Sequence, residues 1–511
     1  MNNRLKTSLL LGLSFITIFS AAAAASSSSS SSSSFAQVSY HNPHLEKLSG
    51  GASGFSTLEK IEKLEKTLKQ EGTLTLKRFQ SGGGSAVTVL PGKESTYESA
   101  VGGLLIMQWD RDNAIQCLAE RLQSQDCFNQ GLQSSLKHHF IYRKRFLDYI
   151  DKKVSPGDSQ MNRPHIRYNP VSLEELREPW GHAQNDALSL IGFDLFYDAN
   201  ENKRKLRDAF ELSYAVLLPH YFKAIGVEND LDTGAWEDKR AVHASSLALV
   251  LLYLRESYEY VTRFGAIKYK IDGRSFVVDE ALLRELIGKV SQSLYQILPD
   301  EYAVCDQSDT RSDTSKNRKY DSALVNALFV QTLCPRPYLI GLRDEKVSSA
   351  VKQDKEMKHL RIFTAAEVAA LASRLESNLM GANGFARYPG DIWDGREDRK
   401  DIKGKEAQWC HVSPLLACVY GDLYRRTGDK AYFDRQVFHF NRGIAHIDSD
   451  FLLPEAYIVD KQSGKWVADA NKPLAWGQSA LLLSIDSLKQ SLSLSKDKAK
   501  NKEDKQAHGG G

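Results

Sequence analysis

A long succession of amphipathic segments constrains the fold of this chain more than any other feature of its sequence. Between residues 101 and 492, apolar side chains recur at every third or fourth position, which is the periodicity of an α-helix with one buried face. The clearest predicted helices cover residues 205–225, 243–264, 281–298, 321–333, 364–379, 412–427 and 474–492. Helices of this kind must pack against one another, so we expect a mainly α fold.

Residues at the ends of these segments support the predicted boundaries. Thr364 followed by Glu367 is the signature of a capping box, in which two side chains satisfy free amide groups of the first turn. Gly226 and Gly428 stand just after predicted helices, where the left-handed conformation that glycine tolerates ends a helix.

Strand signals are few and short. The clearest are residues 267–278, around Asp272-Gly273, and residues 457–467, around Ser463-Gly464, and both are typical of hairpins. Paired helices separated by long loops predict an α/α toroid whose loops build a site at one end of a barrel. Periodicity alone would also allow an irregular helical bundle.

The first residues have the pattern of a secretory signal. Arg4 and Lys6 precede an apolar run at 9–19 and small residues at 21–25. A membrane anchor is the alternative, but the run is shorter than the ~20 residues that a spanning helix needs. We therefore expect cleavage and export to the periplasm or the outside, with no membrane attachment of the mature protein.

These features divide the 511 residues into four parts. We expect a signal peptide at 1–25, a serine-rich flexible leader at 26–56, the helical domain at 57–493 and a disordered, lysine-rich tail at 494–511. The length would accommodate several average domains. The unbroken series of helices favours one large body.

The formal net charge of +3 gives no reason to expect a nucleic-acid partner. Arg4 and Lys6 belong to the signal, and residues 496–505 hold five lysines against three acids, so the remainder is close to neutral. Nucleic acid would require a clustered basic face. A neutral polymer is the more natural partner, and we expect a monomer.

The six cysteines stand at positions 117, 127, 305, 334, 410 and 418. An even number permits disulfides in an exported protein, although the sequence does not give their pairing. Cys410 and Cys418 lie eight positions apart in a predicted helix, too far to bond to each other. Without any Cys-x-x-Cys pair, we expect neither a metal site nor a cofactor.

Five segments concentrate tryptophan, arginine and carboxylates next to predicted helix starts. They cover residues 108–113, 180–186, 232–238, 384–389 and 453–457. Aromatic faces stack on sugar rings, while Asp, Arg and Gln bind hydroxyl groups, so this mixture suits a carbohydrate cleft. Taken singly, each tryptophan could equally be a core residue and each Arg/Asp pair a surface salt bridge.

In order and context these segments resemble those of glycoside hydrolase family 15. That family contains glucoamylases and glucodextranases, and it shares its helical barrel with the α and β subunits of phosphorylase kinase. The most specific pieces are Trp-Gly-x-x-Gln-x-Asp at 180–186, Trp-Glu-acid at 236–238 and Pro-Glu-x-Tyr at 454–457, followed by Pro-Leu-Ala-Trp at 473–476. The resemblance extends over residues 101–492.

The resemblance implies a six-hairpin (α/α)6 barrel and exo-hydrolysis of α-1,4-glucans such as maltooligosaccharides, starch or glycogen, with inversion and release of β-glucose. Glu237 matches the general acid of the family, and Glu455 matches the general base. The implied substrate-binding residues are Arg111 and Asp112 at the terminal glucose, Trp180 beside the acid, Asp238 facing the next sugar, and Arg387 with Tyr388 in a loop that reaches the substrate.

An inverting mechanism needs the two glutamates in different states of ionisation. One must carry a proton for the leaving oxygen, while the other must be ionised to activate water on the opposite face. Trp236 and Asp238 flank Glu237, and both partial burial and a neighbouring negative charge raise a carboxyl pKa. Glu455 follows Pro454 at the edge of a hairpin, where we expect it to be more hydrated and charged.

Three alternatives compete with this interpretation. A non-catalytic glucan-binding or regulatory barrel is suggested by residues 243–246 and 454–457, which also resemble the kinase subunits, but both glutamates and an export signal argue against it. A hydrolase of another α-glucoside, such as trehalose or dextran, would use the same barrel and the same two carboxylates. A helical interaction scaffold would need repeats of fixed period, and none is evident.

Overall fold

The computed structural model describes residues 38–51, 54–76, 107–306, 318–334, 362–391 and 404–508. The predicted signal peptide and the serine run lie outside these ranges. The α-helices in the described ranges are α1 Pro43–Ser49, α2 Leu58–Gln70, α3 Asp110–Arg121, α4 Gln125–Ile141, α5 Lys144–Ile150, α6 Asn185–Glu201, α7 Ala209–Ile225, α8 Ala244–Phe264, α9 Glu280–Ile297, α10 Leu324–Leu333, α11 Ala365–Leu379, α12 Val412–Thr427, α13 Lys430–Ala445 and α14 Ala475–His508.

Six of these helices form a closed inner ring. Each packs against the next, in the order α3, α6, α8, α10, α12 and α14, and α14 returns to pack against α3. The helices that alternate with them along the chain, α2, α4, α7, α9, α11 and α13, lie outside and contact inner neighbours. The chain therefore forms the predicted (α/α)6 barrel.

Burial follows this division into two layers. Inner helix α6 is buried along almost its whole length, whereas outer helix α9 buries only its stripe of Leu and Ile side chains together with Val290. A single buried stripe is typical of an outer helix, since it has one solvent face. The inner helices α3 and α6 are buried on most sides because they have neighbours all round.

Local signals end several helices where the sequence predicted. Thr364 and Glu367 form both hydrogen bonds of the capping box at the start of α11. Gly226 ends α7 and Gly428 ends α12, both in the left-handed conformation, with φ of 64° and 74°. These positions favour glycine because a Cβ atom would strain the backbone there.

The strands form three small antiparallel sheets. The strands are β1 Gln108–Trp109, β2 Arg167–Tyr168, β3 Ile267–Ile271, β4 Arg274–Val278, β5 Gln408–Trp409, β6 Ala456–Val459 and β7 Trp466–Ala468. β1 pairs with β2, β3 with β4, and β6 lies between β5 and β7. Both predicted hairpins, β3–β4 and β6–β7, are confirmed.

The loops that precede the inner helices gather at one end of the barrel. β1 leads directly into α3, residues 180–184 into α6, residues 232–243 into α8, and residues 453–474 into α14. The sequence had singled out these loops. At the opposite end, the last turns of α3, α6, α10 and α12 and the middle of α14 line a second cavity of about 460 Å³.

Two predicted boundaries differ from the structure. Part of the expected leader, including α1, packs onto the barrel, where Leu45 and Phe55 are fully buried and the His41 amide donates to the Ala445 carbonyl. At the other terminus, helix α14 continues to His508, where a disordered tail was expected from 494. Lys, Glu, Gln and Ala are good helix formers, so this composition can extend a helix that the core has already nucleated.

Neither Cys410 nor Cys418 forms a disulfide, and Cys127 and Cys334 are free thiols too.

Among the described helices, none combines the length and apolar character needed to cross a membrane.

Candidate active site

A cavity of about 660 Å³ opens at the loop end of the barrel. Its walls include five of the seven tryptophans of the chain together with both predicted catalytic glutamates. The lining residues are Trp109, Arg111, Asp112, Ser159, Gln160, Met161, Pro179, Trp180, Gly181, Ala235, Trp236, Glu237, Arg387, Trp409, Glu455, Asn471 and Trp476. Aromatic walls with a few charged groups are typical of a sugar-binding cavity.

Glu237 lies in a tight turn before α8. Its φ of 57° is left-handed, which is unusual for a residue with a side chain, and its amide donates to the Gly234 carbonyl at 3.4 Å. Oε1 of its carboxyl accepts hydrogen bonds from Trp109 Nε1 and Gln184 Nε2, both at 3.0 Å. Since Oε1 is held by two donors, a proton on this carboxyl belongs on Oε2, which accepts no hydrogen bond from the described residues.

Glu455 precedes the central strand of the three-stranded sheet. Its carbonyl accepts a hydrogen bond from the Cys410 amide at 3.1 Å, and its amide donates to the Asn471 carbonyl at 3.0 Å. Asn471 Nδ2 also donates to Oε2 of the Glu455 carboxyl at 2.6 Å. The main chain and one carboxyl oxygen of Glu455 are therefore both fixed.

The electrostatics agree with the expected effect of burial on Glu237 and correct the expectation for Glu455, while Asp238, the other expected influence on Glu237, is paired with Arg318. Burial raises the pKa of Glu237, opposed by Arg111 and the hydrogen bond from Gln184. Burial and the neighbouring Asp469 raise the pKa of Glu455 to about 8. The expectation of a charged Glu455 is wrong, because burial raises its pKa above neutrality; Glu455 and Glu237 are both partly exposed.

Arg111, which the sequence placed at the terminal glucose, is fixed from several sides. Its Nε donates to Asp186 Oδ2 at 2.7 Å, and its Nη2 donates to Gln184 Oε1 at 2.5 Å and to the Gly234 carbonyl at 3.2 Å. Gln184 therefore connects Arg111 to Glu237. The cation and the acid are held in one rigid frame.

Asp112 lines the same cavity and is almost fully buried. Burial raises its pKa to about 7, against the influence of Arg111, and the carboxyls of Glu455 and Glu237 add to the increase. Three carboxyls thus share one cavity with Arg111. A buried carboxyl group with a pKa near 7 can donate a hydrogen bond to a sugar hydroxyl when protonated and accept one from it when ionised.

Asp238 and Tyr388 do not line the cavity but lie behind its wall. Arg318 bonds Asp238 Oδ2 at 3.0 Å and Asp321 Oδ2 at 2.8 Å, and its guanidinium lies 3.5 Å from the centre of the Tyr388 ring. Trp236 Nε1 donates to Asp321 Oδ1 at 2.6 Å. This buried network ties the loop that carries Glu237 to the segment before α10.

Arg387 and Trp180 do reach the cavity. Both Arg387 Nε and Nη2 bond the carboxylate of Asp391, at 2.7 and 2.5 Å, and the guanidinium lies 5.6 Å from the Trp409 ring centre. Trp180 is partly exposed, and Arg167 stacks on its ring at 4.1 Å. The rings of Trp409 and Trp180 are therefore each backed by a cation, a favourable pairing with the ring face.

Comparison with solved structures finds the same barrel in carbohydrate-active proteins. A structure titled "Glycosidase Wild Type" matches with a TM-score of 0.56 at 14% identity, covering 84% of this chain and 98% of its own. A glucoamylase from Saccharomycopsis fibuligera matches with a TM-score of 0.52 at 14% identity, covering 89% and 98%. This chain shares their fold.

A third match is a glycoside hydrolase family 15 glucoamylase from Hypocrea jecorina, with a TM-score of 0.50 at 12% identity over 84% of this chain and 73% of its own. Neither protein-family models nor curated proteins give a match to the sequence. At these identities the likeness establishes the barrel alone.

Several residues that shape the cavity were not predicted. Gln184 and Trp109 lie inside segments that the sequence singled out, but no role was predicted for either residue. Asn471 precedes the quoted segment 473–476 by two positions. Arg318 has no sequence signal, because only folding brings it beside Asp238.

Within the described ranges, no cluster of His, Cys, Asp and Glu has the arrangement of a metal site.

Proposed function

We propose that this protein is an inverting glycoside hydrolase of the glucoamylase type, which releases β-glucose from the non-reducing ends of α-1,4-glucans. One observation carries the proposal: Glu237 and Glu455 line the same tryptophan-walled cavity, and each has one carboxyl oxygen bound by protein donors and one open. Glycosidases of this kind use two carboxyl groups on opposite sides of the scissile bond.

The proposed reaction proceeds in one displacement. The glycosidic bond between C1 and the leaving oxygen breaks while Glu237 transfers its proton to that oxygen. Water attacks C1 from the opposite face, and Glu455 accepts the proton that the water loses. Glu237 ends ionised and Glu455 ends protonated, and exchange with solvent returns both to their starting states.

The raised pKa values constrain how the pair titrates. The two carboxyls interact, so their protons belong to the pair, and between its two macroscopic pKa values the pair holds a single proton. Turnover requires this proton on Glu237. Because the pKa of Glu455 is raised to about 8, the pair loses its last proton near that pH, and we expect the alkaline limb of kcat/KM there.

The rest of the cavity supports binding of a terminal sugar. Arg111 and Asp112 lie next to the two glutamates and can bind hydroxyl groups, while the tryptophan faces can cover the sugar ring. Arg387 extends this charged surface on the side of Glu455. Exclusion of water by such walls strengthens each polar contact with the substrate.

The test is an NMR time course of the purified protein with maltotetraose, which follows the anomer of glucose that appears first. We expect β-glucose, lost in both Glu237→Gln and Glu455→Gln. Initial α-glucose would contradict inversion and the role of Glu455. Binding without hydrolysis would favour the regulatory alternative, and turnover of trehalose or isomaltotriose alone would favour another α-glucosidase.

The proposed setting follows from the sequence. Export to the periplasm or the outside would bring the enzyme to soluble maltooligosaccharides or exposed glycogen ends. A monomer with a near-neutral surface needs no nucleic-acid or membrane partner to act on them. Fractionation of producing cells, and sedimentation of the pure protein, would check both points.

A further inference from the structure

The main chain at Glu455 is bound on both sides, but its side chain still needs to be fixed. The Cys410 amide and the Asn471 carbonyl complete the backbone hydrogen bonds of Glu455, as for a residue in a central strand. A glutamate side chain nevertheless has three rotatable bonds, and freezing them costs free energy. A base that must face one water molecule needs a further contact.

Asn471 supplies that contact. Its Nδ2 lies 2.6 Å from Oε2 of Glu455, and Asn471 itself lines the cavity. Within the described chain, Oε1 of Glu455 accepts no protein hydrogen bond. The two oxygens are therefore not equivalent: Oε2 is bound to protein, and Oε1 is open to the cavity.

We propose that Asn471 is the positioning residue for the base, holding Oε2 of Glu455 so that Oε1 receives the proton of the attacking water. This inference rests on the proposed function, since it assigns a partner to the base of that reaction. It concerns an amide sixteen positions away from Glu455 in the chain, brought there by the return of the β6–β7 hairpin.

An amide suits this position better than a carboxyl or a hydroxyl. The side-chain N–H group of Asn471 donates to the ionised form of Glu455, which favours that form, and the amide does not take up the proton that Glu455 accepts. Asp469, two positions earlier, has the opposite influence because its charge disfavours ionisation of Glu455. The other charged groups that face Glu455 are Arg387, Glu237 and Asp112.

The experiment compares Asn471→Ala, Asn471→Asp and Asp469→Asn. For each variant, kcat, KM and the pH profile of kcat/KM are measured on the α-glucoside that the wild type hydrolyses fastest. Asn378→Ala is the matched control, because Asn378 is exposed on outer helix α11 and bonds only its own helix. Thermal unfolding of each variant confirms that it is folded.

We expect Asn471→Ala to lower kcat about 10- to 100-fold, the usual effect of losing a hydrogen bond to a charged group, with KM changed less than about twofold. The alkaline limb should move to higher pH in Asn471→Ala and further in Asn471→Asp, because each change disfavours ionised Glu455. It should move to lower pH in Asp469→Asn, which removes a neighbouring negative charge. The control should match the wild type.

Opposite shifts in the variants at 469 and 471 would not arise from a merely structural defect. A folded Asn471→Ala enzyme with unchanged kcat, or with raised KM alone, would overturn the inference while leaving the proposed function intact, provided that Glu455→Gln remains inactive. Absence of hydrolysis by the wild type on every α-glucoside tested would overturn both. An unshifted alkaline limb with lowered kcat would also count against the positioning role.

Discussion

The indole Nε1 of Trp109 donates a hydrogen bond to Oε1 of Glu237 at 3.0 Å, across a separation of 128 residues. Trp109 ends strand β1 and directly precedes inner helix α3, so the barrel itself sets its position. The contact orients the proposed acid and lowers its pKa against the larger influence of burial.

Replacement of Trp109 by Phe should therefore raise the pKa of Glu237. The ring and its packing are retained, while the donor to the ionised carboxyl is lost. We expect the acid limb of kcat/KM to move to higher pH by about half a unit to one unit. Trp466→Phe, outside the cavity, is the control and should leave the profile unchanged. Equal profiles for all three proteins would refute the role of Trp109.

Replacement of Arg111 by Lys should weaken substrate binding. Lysine retains the charge but cannot reproduce the planar contacts to Asp186 and Gln184. We expect kcat/KM on maltose to fall about 100-fold, with a weaker inhibition constant for glucose. Arg284→Lys on the surface is the matched control. Normal glucose inhibition in the Arg111 variant would argue against contact with the terminal sugar.

Replacement of Arg318 by Met should destabilise the fold. Asp238 and Asp321 would lose their shared cation in a buried setting, and such losses cost about 3 to 5 kcal/mol. Urea unfolding measures the change in free energy. Lys430→Met removes the exposed ion pair with Asp434 and should cost less than about 1 kcal/mol. A similar small loss for Arg318→Met would show that the network is unimportant for stability.

Replacement of Asp112 by Asn should alter how stability depends on pH. The folded-state pKa of about 7 lies above the usual value of 3.8, so folding binds a proton at Asp112. Its contribution to stability is full below pH 3.8 and is lost as pH rises through 7. The Tm of the variant minus that of the wild type should therefore increase as the pH is raised from 5 to 8.

The control for this measurement is Asp434→Asn, an exposed carboxylate on outer helix α13. Its Tm difference from the wild type should stay flat over the same pH range. A flat difference for Asp112→Asn as well would mean that Asp112 is as hydrated in the folded state as in the unfolded chain.

Local sequence signals located most of the fold. Capping at Thr364, the glycines at 226 and 428, and the hairpin turns act through atoms within a few residues, so they can be recognised without tertiary structure. Predicted helix boundaries agree with the structure to within a few residues at α8, α9, α11 and α12. The clearest predicted helices did not include inner helices α3 and α6, which are buried along almost their whole length and so lack a solvent face.

The order of five loop motifs was available from the sequence by itself, which also singled out Glu237, Glu455 and Arg111 as candidates, because each motif is a short run of residues next to a helix start. These three residues line one cavity. Tertiary structure decided the environment of those residues. The closure of six helices brings Trp109 to Glu237, and the return of a hairpin brings Asp469 and Asn471 to Glu455, raising its pKa where the sequence suggested hydration. Burial and charge depend on distance in space, which separation along the chain does not reveal.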